Sequence, residues 1–148
     1  RVVTNNNSKD LTSFVKTFEG FNQNSYADGR QRSIGFGTRA KRGERSISKQ
    51  EAERRLGEEL SNHRNRVLSL AKKSNYNFSP AQLDALTSFD YNTGSLEKLT
   101  NNGKRSKAQI AKAMLLYDKA DLDGKGLKPL RGLTRRRQAE SKLFTQGY

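Results

Sequence analysis

Leu11, Phe14, Val15, Phe18 and Phe21 recur at the i, i+3, i+4, i+7 spacing of one helix face. They predict an amphipathic helix that begins near Ser8 and is stopped by Gly20. From Asn22 to Thr38 the helical period is lost. Asp28-Gly29 stands between two short β-like stretches, the second being Ser33-Ile34-Gly35-Phe36-Gly37-Thr38, which predicts a hairpin. Ser48 and Glu51 form a capping-box pattern, and Ala52, Leu56, Leu60, Val67 and Ala71 then give one apolar stripe through about residue 72. A third helix opens at Ser79-Pro80 with Gln82 completing the box. It turns Leu83, Leu86 and Phe89 inward and ends at Gly94. Ser106 with Gln109 opens a fourth helix, with Ile110, Ala113, Met114 and Tyr117 on its apolar side. A Gly- and Lys-bearing loop over 119–129 leads to a last helix over about 130–145, using Leu133, Ala139 and Leu143. Residues 1–8 are polar and Asn-rich and read as a tail or linker. The whole predicts a mostly helical α+β domain over 9–148 with two lobes: a small β-hairpin lobe, a long connecting helix and a helical C-terminal lobe. A cleft between lobes is a natural substrate site.

Composition narrows the function. The 148 residues include 29 Lys+Arg against 15 Asp+Glu, a formal net charge of +14. Such a charge points to an anionic partner, with nucleic acid, the carboxylate- and phosphate-bearing bacterial cell wall, or simple solubility as the three readings. The basic residues are spread along the chain, so no single DNA-reading helix is picked out. There is no cysteine, hence no disulfide, no thiol nucleophile and no zinc–thiolate site. With one histidine, a multi-histidine metal site is excluded, and a Ser-His triad would require His63 as its base. No apolar run approaches a membrane span, and the first residues lack a secretory-signal pattern.

Two carboxylates stand out. Glu19 falls at the predicted C-terminal end of the first helix, between Phe18 and Phe21. The negative end of the helix dipole and the apolar neighbours both disfavour the charged form there, which suits a general acid. Asp28 follows in the hairpin. Either residue alone has an ordinary explanation, a solvated helix-end glutamate or an Asp-Gly turn residue. Together they form the kind of pair that glycoside hydrolysis needs, one to protonate the leaving oxygen and one to handle water or the sugar cation.

Phe18-Glu19-Gly20-Phe21, Tyr26-Ala27-Asp28 and Ser33-Ile34-Gly35-Phe36-Gly37-Thr38 resemble the active-site segment of phage-type lysozymes, glycoside hydrolase family 24. Gln82 to Phe89 with Tyr91-Asn92-Thr93-Gly94, and Leu130 to Glu140, resemble later family segments in the same order. The resemblance covers about residues 9–146. The family spaces its Glu, Asp or Cys, and Thr by eight and then five residues. Glu19 and Asp28 match the first interval, whereas Ser33 follows Asp28 after only four residues and is Ser in place of Thr. A turn one residue shorter would keep Ser33 directly before Ile34-Gly35. Thr38 is the alternative and fits the spacing less well.

The resemblance implies a lysozyme-like fold and a peptidoglycan-degrading muramidase. Glu19 would protonate the β-1,4 glycosidic oxygen between N-acetylmuramic acid and N-acetylglucosamine, while Asp28 and Ser33 position the attacking water. The outcome would be inversion, with carboxyls about 6.5–9.5 Å apart. It implies Asn92 and Tyr117 as substrate-binding residues, with a helix-end residue and a core aromatic as their ordinary readings. It also raises a pairing of Arg135 or Arg136 with Glu19, against a solvated basic face. It implies no cofactor and no metal, peptidoglycan as partner, neither nucleic acid nor membrane, and a monomer or a domain of a larger virion protein. The place of action would be the cell wall, extracellular or periplasmic, as a free lysin or virion-associated. The Asn-rich start and the missing Met favour the virion-associated form. The alternatives are a non-catalytic basic nucleic-acid-binding module, a lysozyme-fold cell-wall binder, or a lytic transglycosylase. His63 reads as a surface histidine, and Asp121-Leu122-Asp123-Gly124 fails the calcium-loop pattern because its twelfth position is Gly132.

Overall fold

The computed structural model describes residues 8–29 and 31–148, so the tail expected over 1–7 lies outside the described residues. The chain divides into two units, residues 1–62 and His63–Tyr148.

In the first unit, helix α1 (Lys9–Glu19) begins where Ser8 Oγ accepts from Leu11 N and ends at Gly20, whose N–H reaches the Lys16 carbonyl. Leu11 and Val15 are its buried residues, and Phe21 lies past its end. An antiparallel sheet follows in the order β1 (Asn22–Asp28), β2 (Gln31–Gly35), β3 (Thr38–Arg39). Strand β1 pairs with β2 from Tyr26 to Asp28 beside the turn and again at Asn22 opposite Gly35, with a register shift between Asn22 and Tyr26. There the backbone turns to residues 45–47, with Ser25 N to Arg45 O and Ile47 N to Gln23 O both at 2.9 Å. Gly35 has φ +65, and a Cβ on it would sit 2.8 Å from Ala52 Cβ on helix α2 (Lys49–Ser74). Only glycine permits both the left-handed backbone and that approach of sheet to helix. The predicted capping box at α2 forms by half. Ser48 Oγ accepts from Glu51 N, but the Glu51 carboxylate is drawn to Arg54 and Arg55.

Helix α2 runs on into the second unit, which adds α3 (Pro80–Thr93), α4 (Leu96–Thr100), α5 (Lys107–Met114) and α6 (Arg131–Gln146). Both predicted capping boxes, Ser79 with Gln82 and Ser106 with Gln109, are complete. Each such cap contributes about 1 kcal/mol. The burial pattern differs from the predicted stripes in three places. Helix α3 buries every residue from Asp84 to Asp90, so it is enclosed on all sides, whereas Leu83 is only half-buried. Helix α5 stops at Met114, which leaves Tyr117 beyond it. Helix α6, packed on α3 and α5, buries Arg136, Arg137 and Glu140 beside Leu143 and Phe144, while Leu133 and Ala139 are half-buried. The 119–129 loop contains two short paired strands, β4 (Lys119–Ala120) and β5 (Lys128–Pro129). Among the described residues no helix is long and apolar enough to cross a membrane.

Candidate active site

Glu19 and Asp28 both belong to the first unit. Glu19 is the last residue of α1 and is half-buried. Asp28 is the last residue of β1 and is exposed, paired in register with Gln31 across the turn. Ser33 is fully buried on β2 and sits opposite Tyr26. Side chains two apart on a strand share a face, so Tyr26, Asp28, Gln31 and Ser33 line one side of the hairpin. On that face Ser33 Oγ donates to Asp28 Oδ2 at 2.9 Å. The short turn that makes Ser33 depart from the family spacing is what gives it this parity with Asp28. Thr38 instead donates to the Ile34 carbonyl at 3.3 Å.

Tyr26, opposite Ser33 in register, shares the face of Asp28. Burial raises its phenol above the ordinary value, and the negative charges of Glu19 and then Asp28 raise it further, against a smaller opposing hydrogen bond with Ser33. The phenol therefore lies in the field of both carboxylates and stays protonated at neutral pH. Ser33 has one hydroxyl hydrogen and gives it to Asp28. The signal for the shared face was present in the sequence: Tyr26 is two positions before Asp28 on a predicted strand.

Around the carboxylates, Phe14 packs on Phe18 with centroids 5.3 Å apart, and Phe21 packs on Phe36 at 5.4 Å. Lys16 lies over the Phe36 ring at 5.1 Å and pairs with Glu53 of α2 at 2.8 Å, tying α1 to the helix that carries the unit's apolar stripe.

The other predicted residues lie in the second unit. Asn92 is exposed near the end of α3, and its Oδ1 accepts from Arg137 Nη2 at 2.8 Å. Tyr117 is half-buried and meets the Phe89 ring edge-on at 5.1 Å, as a core aromatic does. Arg135 is exposed, but Arg136 is not part of a solvated face: it is 3% exposed. Its Nε lies 3.2 Å from Glu140 Oε2, Arg137 Nε lies 2.7 Å from Glu140 Oε1, and Ser88 Oγ donates to Glu140 Oε2 at 2.6 Å. Burial pushes the Glu140 carboxyl up, opposed by Arg137 and then Arg136. No apolar pattern could announce this cluster, because its helix face is charged. His63 also departs from its surface reading. It is half-buried, with Nδ1 at 2.6 Å from the buried Asp90, which Arg66 also holds at 2.9 Å. In the 121–124 loop the carboxylates bind their own backbone, Asp121 accepting from Gly124 N and Asp123 from Lys125 N. Among the described residues no group of three or more His, Asp or Glu could hold a metal ion.

Comparison with known proteins bears on family and fold. The phage lysozyme family model matches residues 16–140. The muramidase domain of SpmX from Asticaccaulis excentricus is similar in structure, with TM-score 0.80 and 26% identity over 97% of this chain and 99% of that one. The endolysin of Escherichia coli O157:H7 phage FAHEc1 aligns with TM-score 0.72 and 24% identity over 95% of this chain and 94% of that one. A P22 lysozyme aligns with TM-score 0.61 and 24% identity over 93% and 97%. A search of curated proteins gave no match. The family match spans Glu19 at the end of α1, the hairpin that carries Asp28 and Ser33, and the helices after it, and the chain belongs to the phage lysozyme family as a peptidoglycan-degrading glycoside hydrolase.

Proposed function

We propose that the enzyme hydrolyses the β-1,4 bond between N-acetylmuramic acid and N-acetylglucosamine with inversion, using Glu19 as general acid and Asp28 with Ser33 to direct water. The observation that carries this reading is the 2.9 Å hydrogen bond from Ser33 to Asp28 on one face of the hairpin. Glu19 gives its proton to the departing glycosidic oxygen. A water on the opposite sugar face passes a proton to Asp28, which Ser33 orients through its hydrogen bond, while the water oxygen attacks the anomeric carbon and the glycosidic C–O bond breaks. Ser33, buried on β2 and bonded to Asp28, needs no reorientation as charge develops. Within the second unit, Asn92, oriented by Arg137, and Tyr117 are the residues offered for binding glycan. The catalytic domain runs over residues 9–148, with Ser8 as the cap of its first helix. It works as a monomer or as a domain of a larger virion protein.

The lytic transglycosylase reading is separated by the product. Proton NMR during the first minutes of digestion, with mass spectrometry of the fragments, should show reducing N-acetylmuramic acid ends born in the α configuration. A β product would replace inversion with retention. Anhydro ends would remove the water from the mechanism, and with it the roles given to Asp28 and Ser33.

A further inference from the structure

Beside the hairpin lies a pocket of about 640 Å³, bordered mainly by Arg32 and residues 39–45 and reached at its edge by Gln31. Its lining includes Arg32, Arg39, Lys41, Arg42 and Arg45, all exposed, and a single carboxylate, Glu44. That carboxylate is already committed. Arg55 holds it with two nitrogens at 2.7 and 2.6 Å, and the Lys41 backbone N–H donates to it at 3.1 Å. Among the described residues none of the five cations forms an ion pair. Arg32 is fixed by neutral partners, its Nε on Ser25 Oγ at 3.1 Å and its Nη2 on the Ser25 carbonyl at 2.8 Å. The backbone that carries the others is pinned as well. Ala40 N bonds to Arg32 O, Glu44 N to Lys41 O and Ser25 N to Arg45 O. Five like charges gathered on a fixed backbone repel one another unless an anion joins them.

We propose that this pocket is a second binding site, distinct from the carboxylate face, for a phosphodiester-linked sugar or polyol polymer of the cell wall. Four of the five cations are arginines, whose planar forks suit phosphate oxygens in pairs. The volume exceeds a single phosphate and admits a polymer segment. No aromatic residue lines the pocket, so it offers no platform for nucleobases, and the contacts available are to a phosphate backbone. Because Arg32 and Ser33 are neighbours on one strand, they point to opposite faces, and polymer held on the Arg32 side leaves the Ser33 side open to glycan.

The test is calorimetric titration of the whole chain with soluble poly(glycerol phosphate). Arg42→Gln with Arg45→Gln should weaken binding about tenfold and reduce its salt dependence, while Lys112→Gln with Lys142→Gln, an equal charge change elsewhere, should weaken it less than about twofold. Inorganic phosphate alone should bind weakly and compete only at high concentration. Cleavage of soluble, phosphate-free glycan fragments by the Arg42/Arg45 variant should match wild type, which separates this site from the catalytic assignment. Equal losses in the two double variants would reduce the pocket to general charge. Tighter binding of a single-stranded oligodeoxynucleotide than of poly(glycerol phosphate) would overturn the ligand class.

Discussion

Ser33 donates its hydroxyl hydrogen to Asp28 across the hairpin, 2.9 Å from Oγ to Oδ2. This ties a fully buried side chain to an exposed carboxylate. On the proposed mechanism Ser33→Ala removes the fixed donor that orients Asp28. It should lower kcat about 10²-fold with little change in KM, within the range of a positioned proton-transfer group. Ser33→Thr restores the hydroxyl and should recover most of the rate if the extra methyl fits the buried site. Steady-state cleavage of soluble glycan by both variants checks this. Equal rates for Ser33→Ala and wild type would remove Ser33 from the site.

Tyr26 tests whether the network extends one residue further. Tyr26→Phe keeps the ring and deletes the phenol that faces Ser33 across the hairpin. A stability loss of about 1 kcal/mol is expected, with kcat reduced by about three- to tenfold and KM unchanged. A variant that loses stability but keeps full kcat would make Tyr26 a packing residue only.

Glu140 should be among the most sensitive positions in the helical unit. It is fully buried between Arg136 and Arg137. Glu140→Gln leaves two buried guanidinium groups without their counter-charge and should destabilise the fold by about 3–5 kcal/mol, the cost of breaking a buried ion pair from one side. Denaturant unfolding of Glu140→Gln measures it. A loss below about 1 kcal/mol would mean the arginines are neutralised by other means.

Acid should unfold the protein through its paired carboxylates. Arg55 holds Glu44 at about 2 against its ordinary 4.5. Asp90 is pushed up by burial, but His63 and Arg66 more than offset this, so it stands below its ordinary 3.8. A depressed carboxyl stabilises the fold at pH above its unfolded value, and that contribution is lost as pH falls toward the folded value. Glu140, raised by burial, acts in the opposite sense: its contribution is present below 4.5 and is lost as pH rises. Depressed groups outnumber it. Melting temperature should therefore hold steady above about pH 5 and fall between 4.5 and about 2. Glu44→Gln should make that fall shallower, and an unchanged slope would deny Glu44 its part.

What the sequence made legible follows from period and punctuation. Gly20 and Gly94, the Ser79 and Ser106 caps and the Asp28-Gly29 turn act within a few residues, so their effects can be read locally. Helix α4 escaped because five residues are too few to show a period. The strands in the 119–129 loop escaped because two-residue strands have no alternation. The enclosed α3 and the charged face of α6 were misjudged for a shared reason. Both depend on partners far along the chain, and Ser88 meets Glu140 across 52 positions. In the candidate site, Glu19 and Asp28 were visible by spacing. The Ser33 contact needed the strand register, which a one-residue change in turn length would have reversed.

The central claim is that Glu19 supplies the proton for peptidoglycan cleavage. Its most direct test is the cleavage rate of purified cell walls by Glu19→Gln beside wild type, with melting temperatures measured on the same samples. A loss of at least about 10³-fold with the fold intact is expected, because the amide preserves shape but has no proton to give. Equal clearing of walls by a folded Glu19→Gln would contradict it.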